Sequence, residues 1–440
     1  MVDPDPASAP VERPILADHP MRYDLANELH ARPFPVIEPP CHAMFLAFKP
    51  PSDAASRDRG KDRDHLLSLL DRFGAQHPKP GATHWFGEIG KHRLKWECHT
   101  EFTTYTVFVD GLEERPFDAT AYEVLPADWL AEAPGARVTS AMIRVEPLAA
   151  GGEDAVTARL NEWFVAESLS AAYVLDEAGI VATDFRIDTA GHMRFAFFVG
   201  PDMGMRRIGR VVQRLTEIET YKAMSLLGLA RARTLSARMG EIDKQLVGLM
   251  GDLTGETRPA DEALVKLLAV SAELENLLAT SSFRFGATAA YEAIVLDRVR
   301  VLRESRFSGR QLFSEFMSRR YDPAMRTIRS TEARLKSMAQ RAARAGDLLR
   351  TRVDVERQAQ NQKLLESMDR RADLALRLQQ TVEGLSVVAI SYYALNLASY
   401  AVYPFLEPLG LSKGLATALL LPVVVGAVFL MIRRIRKGMH

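Results

Sequence analysis

The chain has 440 residues, more than one typical core accommodates, so two or three structural units are expected. Its 56 basic and 56 acidic residues cancel, which excludes the global positive field of a nucleic-acid binder. Only two cysteines occur, Cys41 and Cys98, which excludes a disulfide framework and makes a reducing compartment the default.

Residues 1–18 have neither the basic nor the apolar region of a secretory signal. They read as a disordered leader rich in proline and acid. The stretch "HPMRYDLANELHARPFP" (19–35) opens the first folded region, 19–203. His19-Pro20 at one end and Arg32-Pro33 at the other fix extended chain, and about two helical turns fit between them, with Leu25 and Leu29 on one face. Arg22 and Glu28 are expected to tie this helix to a sheet. His30 and Arg32, read as unpaired positive charges, form a candidate polar or anion site with His19, Arg22 and Glu28, beside the plainer reading that the segment is structural.

Short apolar or alternating runs then predict strands at 42–49, 92–98, 101–109, 137–147, 171–177, 180–188 and 192–199, with turns supplied by "DEAG" and "DTAG". Helices fit 62–76 and 154–166. This is an α+β domain with a mostly antiparallel sheet. Within it, "WECHTEF" (96–102) places Glu97, His99 and Glu101 on one face if the strand is regular, a set suited to acid–base work or to holding a cation. The plainer alternative is a solvated polar face. Cys41-His42 and Cys98-His99 suggest zinc, but adjacent strand residues point to opposite faces and no close C-x2-C pair exists, so no metal is expected.

The middle region, 204–310, predicts helices over about 205–250, 261–278 and 287–304, with "RFSGR" (306–310) as a turn. "GDLTGET" (251–257) is one residue short of a phosphate loop and carries Glu256 in place of its lysine. No nucleophile–base motif is present, so neither enzymatic activity nor a cofactor is expected. From 298 to 357 basic residues well outnumber acids, which suits anionic lipid or an acidic partner; without aromatic interleaving, nucleic acid does not fit.

Residues 311–384 predict a stalk. Met325, Ile328, Leu335, Met338, Ala342, Ala345, Leu349 and Val353 follow three- and four-residue steps, and Leu364, Met368, Ala375, Leu378 and Val382 resume the seam after the polar "ERQAQNQ" (356–362). A continuous helix to Tyr403 would run on the order of 120 Å. Gly346 is the expected break if it is not continuous.

Two uncharged runs follow, 385–406 and 414–432, each long enough to span a bilayer. Arg370, Arg371 and Arg377 precede the first, and Arg433, Arg434, Arg436 and Lys437 sit in the basic tail 433–440 after the second, so both termini are expected in the cytoplasm. The outer loop, 407–413, carries Glu407, with Pro404 and Pro408 shaping the hairpin tip. Tyr392, Asn396, Ser399 and Tyr403 line one face of the first span, a surface for helix–helix contact between copies or for a pore.

The segments "HPMRYDLANELHARPFP", "WECHTEF", "PAMRTIRS", "LLRTRVDVERQAQNQKLLESMDRRA" and "LQQTVEGLSVVAISYYALNL" together resemble a bacterial family of membrane-anchored proteins, domain of unknown function 3422. The resemblance covers nearly the whole chain and implies a cytoplasmic bulk on an inner-membrane anchor, with no catalytic residues to carry over. The plan is also similar to CorA-type cation channels, whose Gly-Met-Asn filter is replaced here by "SYAVYPFLEP". The expected function is a homo-oligomeric, membrane-anchored scaffold whose partners are the bilayer, anionic lipid and further copies of itself. The alternative is a two-span ion channel or transporter.

Overall fold

The computed structural model describes residues 18–28, 34–51, 57–148, 151–254, 259–406 and 412–437. The chain divides into two compact units, Met1–Gly248 with Leu268–Ala343, and Leu249–Leu267 with Arg344–His440. In chain order, α1 (Arg22–Glu28) precedes β1 (Cys41–Lys49), α2 (Arg59–Phe73) and the meander β2 (His84–Ile89), β3 (His92–Cys98) and β4 (Thr103–Asp110). A 3-10 turn at Ala119–Val124 and α3 (Ala127–Ala131) lead into β5 (Ala136–Pro147), α4 (Gly152–Trp163), β6 (Ser170–Val174), β7 (Gly179–Thr183) and β8 (Met193–Val199). The described elements that follow are helices and one short strand: α5 (Met205–Thr254), α6 (Ala260–Arg300), β9 (Ser305–Arg306), α7 (Phe313–Phe316), α8 (Asp322–Leu406) and α9 (Lys413–Lys437).

The first unit is α+β, built on one nine-stranded sheet in the order β2-β3-β4-β1-β5-β8-β7-β6-β9. Every neighbouring pair is antiparallel except β5 and β8. That parallel pair is reached through α4, whose Val156 and Leu160 bury against Ala171, Ile180 and Phe198. Strand β1 is buried along its whole length, because Met44, Leu46 and Phe48 meet Leu66, Leu69 and Leu70 of α2 while Phe45 and Ala47 point to the other side. This two-sided burial explains why "HAMFLAFK" is apolar almost without alternation.

Under α2 the packing is specific. The His65 ring stacks on Trp129 at 4.0 Å, its Nε2 lies 2.9 Å from the Trp129 carbonyl, and its Nδ1 lies 2.9 Å from the Tyr105 hydroxyl. A carbonyl only accepts, so Nε2 carries the proton and Nδ1 accepts from Tyr105. In return the Trp129 indole N–H donates to the His65 carbonyl at 2.8 Å.

Several boundaries differ from expectation for identifiable reasons. β2 was not anticipated, because "HWFGEI" mixes a glycine and a glutamate into a short edge strand. The strand expected over 101–109 begins at Thr103, since residues 99–102 form the turn out of β3. The helices expected at 261–278 and 287–304 are one helix, α6. The polar stretch "TSSFR" continues it because Ser281 is buried and accepts from Arg231 at 3.1 Å. The stretch expected to be only a turn, 306–310, first contributes Arg306 to β9 at the sheet edge.

Within the first unit, α5, α6 and the start of α8 pack as helices against helices. Gly228 lets α5 approach α6 closely, since a Cβ there would lie 2.3 Å from the Thr288 hydroxyl. Arg334 and Arg341 of α8 both reach Asp243 of α5, at 3.2 and 2.5 Å. A π-helical turn at Met317–Tyr321 joins α7 to α8, with the Asp322 N–H bonded to the Met317 carbonyl. That widened turn comes immediately before Pro323, which has no N–H to donate and whose ring would crowd an ordinary turn.

In the second unit, α8 continues without interruption through Gly346, as the continuous stalk requires, and the alternative break there is absent. Leu267 approaches to 4.0 Å where a Gly346 Cβ would stand, leaving ordinary contact distance and no reason to bend. Pro404 lies inside the last turn of α8 rather than ending it. The leader expected over 1–18 falls, except for Asp18, outside the described residues.

Candidate functional site

The sheet face away from α2 carries a polar row. Pairing sets Glu97 beside Thr104 and Lys95 beside Thr106, and Thr106 in turn beside Phe45. These side chains share one face because strand residues alternate. Lys95 lies 3.1 Å from Glu97 and donates to the Gln213 carboxamide oxygen of α5 at 2.9 Å. The Gln213 amide nitrogen donates onward to Glu217 at 2.8 Å, and Glu217 accepts a second bond from Arg298 at the end of α6. The relay Glu97–Lys95–Gln213–Glu217–Arg298 thus crosses from sheet to helices with both carboxylates satisfied.

The turn at the end of β3 is held from two sides. Arg57, in a buried ion pair with Asp62, donates to the carbonyls of Thr100, His99 and Phe102 at 3.1, 2.6 and 2.9 Å. Beyond it, Glu101 is buried, pairs with Arg284 of α6 and accepts from the Tyr291 hydroxyl at 2.9 Å. Burial, then the Glu101 charge, pushes the Tyr291 phenol up. Cys98 sits beside Arg57 at 3.4 Å, yet burial and the neighbouring Asp62 raise its thiol, so it is kept as a thiol and not as a nucleophile.

These two clamps aim His99 and Phe102, stacked at 4.3 Å, toward α5. Between the sheet and the helices lies a cavity of about 370 Å³. Its sheet side is Phe45, Glu97 and Thr104 with His99 and Phe102, and Phe34 closes one edge. Its helical side runs from Gln213 to Tyr221 on α5, with Arg298 and Val301 at the end of α6. Arg214 faces this space with one hydrogen bond among the described residues, to the Val301 carbonyl at 2.9 Å. Burial, then the like charges of Arg210 and Arg298, pull its guanidinium below the ordinary value.

The sequence-predicted residues are only partly brought together. Glu97 and His99 both line the cavity, whereas Glu101 is turned away into its own clamp with Arg284. The single face expected for Glu97, His99 and Glu101 does not form, because β3 ends at Cys98 and the chain turns. His19 and Arg22 are exposed; the His19 ring accepts from the Met21 N–H at 3.2 Å. Arg22 pairs with Asp18 on its own segment, so the tie to the sheet expected of Arg22 is not made. Glu28 ends α1 with its side chain outside the described residues, where His30 and Arg32 also lie. Arg57, Arg214, Arg284 and Arg298 gave no local signal, since Arg284 meets Glu101 across 183 positions and Arg298 meets Glu217 across 81.

A second feature lies on α8. Met325, Ile328, Leu335, Met338 and Ala342 are buried in the first unit, as are Ala345, Leu349 and Val353 in the second. Leu364, Met368, Leu378 and Val382, which continue that seam, are exposed at 61%, 59%, 66% and 53%. Among the described residues two helices are, by length and composition, long and apolar enough to cross a membrane, and the chain itself buries only 6% and 11% of their most apolar stretches. Ser399 meets Thr417 of α9 at 3.5 Å, while Tyr392 and Asn396 are exposed. The Tyr403 side chain and Glu407 fall outside the described residues.

Among the described residues no three His, Cys, Asp or Glu side chains converge as a metal site. Residues 17–439 match a family model described as protein of unknown function (DUF3422). No curated protein and no solved structure matches the chain.

Proposed function

Since the chain belongs to the DUF3422 family, whose description assigns no activity, we propose that it is a non-enzymatic, membrane-anchored scaffold that self-associates through the lower part of α8. The observation that carries this reading is the change in cover along one seam: the chain buries it down to Val353 and leaves it open from Leu364 to Val382. An apolar stripe at heptad-like spacing buries itself against an equivalent stripe, and a second copy supplies one in register.

The first apolar run strengthens the argument. With 385–406 in a bilayer, Asn396 would present an amide to hydrocarbon, which is costly unless a partner bonds to it. α9 touches Ser399 through Thr417, whereas Asn396 is exposed in the single chain. A neighbouring copy of α8 is the partner that covers both Asn396 and the open seam. The arginines and lysine flanking the two runs support a cytoplasmic side for both termini, and with them for the α+β unit.

The reading is tested by counting subunits in the full chain purified in mild detergent, with light scattering to separate protein from detergent mass. A discrete oligomer that persists on dilution is expected. A monomer at all concentrations would remove the reading. Fusion of a periplasm-active reporter after His440 tests the anchor independently, and no signal is expected.

A further inference from the structure

We propose that the cavity between the sheet and α5 is a binding site for a small organic anion with a planar apolar body, its charged group held by Arg214. This inference does not depend on self-association. Its volume of about 370 Å³ falls in the range of small-molecule pockets, about 300–1,000 Å³.

The charges inside it select the sign of the ligand. Glu97 is occupied by Lys95, and Glu217 by Arg298 and Gln213. Neither carboxylate is left to attract a cation. Arg214 has spent a single N–H on the Val301 carbonyl, which leaves most of its fork of donors without an acceptor among the described residues. Arg210, Arg298 and Arg303 all add positive field at Arg214, against Glu217 alone. An incoming carboxylate or phosphate relieves that crowding and meets the guanidinium in a paired geometry.

The remaining walls select the body. Phe34, Phe45, Phe102 and Tyr221 supply aromatic surface. The hydroxyl protons of Thr216 and Thr220 are directed back to the carbonyls of Gln213 and Thr216 at 2.8 and 2.7 Å, so these residues add little donor capacity. A planar ring bearing one anionic group satisfies both halves of the cavity. A bare inorganic anion uses only Arg214, and a neutral ring uses only the walls.

The probes are benzoate, its neutral isostere benzamide, and acetate, titrated calorimetrically into the full detergent-solubilised chain. Benzoate is expected to bind at least tenfold more tightly than either comparison compound. Arg214→Gln should reduce benzoate to the level of benzamide, and Arg214→Lys should restore part of the difference. Equal binding of benzoate and benzamide, equal binding of benzoate and acetate, no binding of benzoate, or an unchanged benzoate affinity in Arg214→Gln would each overturn the proposal. The comparison among the three compounds on the wild-type chain stands even if Arg214→Gln does not fold.

Discussion

Two stretches of α8 have the same kind of apolar residue at the same spacing and opposite surroundings. From Met325 to Ala342, within the first unit, the seam residues are buried to 2% exposure or less. From Leu364 to Val382, within the second, the same kind of seam stands more than half exposed. Periodicity reports that one face seeks cover, and it carries no information on what supplies the cover. In the upper stretch helices of the same chain do so, with Asp243 fixing the fit through Arg334 and Arg341. In the lower stretch no described residue of the chain covers the seam.

Substitution separates the two stretches most sharply. Leu335→Ala, at a fully buried position, should destabilise the first unit by about 2–5 kcal/mol, the range for a truncated core leucine. Leu378→Ala should leave that unit unchanged and weaken the oligomer instead. All four tryptophans lie between residues 85 and 163, so denaturant titration followed by tryptophan fluorescence reads the first unit alone. Equal losses in the two variants would erase the distinction between covered and open seam.

Gly209 offers a smaller change within the first unit. A Cβ there would fall 1.7 Å from the Pro35 carbonyl, and the Ile37 N–H bonds to the Met205 carbonyl close by at 3.3 Å. Gly209→Ala should therefore displace the segment carrying Phe34 and cost about 1–3 kcal/mol, as overpacked sites do. The same fluorescence titration measures it, and the oligomer should be unaffected.

Asn396→Leu acts on the open side of the comparison and should weaken association by about 1 kcal/mol or less, the usual size of a hydrogen bond between helices in a bilayer. Sedimentation equilibrium of the detergent-solubilised variant is the appropriate measurement. Tighter association than wild type would mean that the amide faces away from the interface.

Acid distinguishes the regions in direction alone. Burial lowers the imidazoles of His42, His65, His92 and His192 below their ordinary 6.5. Below pH 6.5 the unfolded chain then binds protons that the folded unit refuses, so stability is full above that value and falls as pH drops toward the folded values. The seam from 325 to 382 contains no histidine. Denaturation midpoints of the first unit should decline between pH 7 and pH 5.5 while those four imidazoles leave association untouched. A flat midpoint for the first unit would show that its histidines are not held neutral.

The sequence carried the regular parts of this fold and little of the site. The apolar face that carries Met325, Leu335 and Val353 was legible from spacing, and the apolar runs of α8 and α9 from composition and length; which stretch the chain buries was not. The relay from Glu97 to Arg298 does not, because it needs the register of β3 on β4 and the placement of α5 over the sheet. "WECHTEF" was legible as polar and unusual, yet alternation fails where Arg57 pins the turn, and Glu101 therefore buries beside Arg284. Clamps between residues far apart in sequence leave no local pattern.

The central claim is that the open stretch of α8 pairs with its counterpart in another copy, and cysteine cross-linking in native membranes tests it most directly. Single cysteines at Leu364, Met368, Ala375, Leu378 and Val382 share one helical face, and Glu366, Asp373 and Arg377 share the opposite one. Cys41 and Cys98 are buried and should remain silent. Disulfide-linked dimers are expected on mild oxidation at the first set and not at the second. Cross-linking without that periodicity, or at none of the eight positions, would contradict the account.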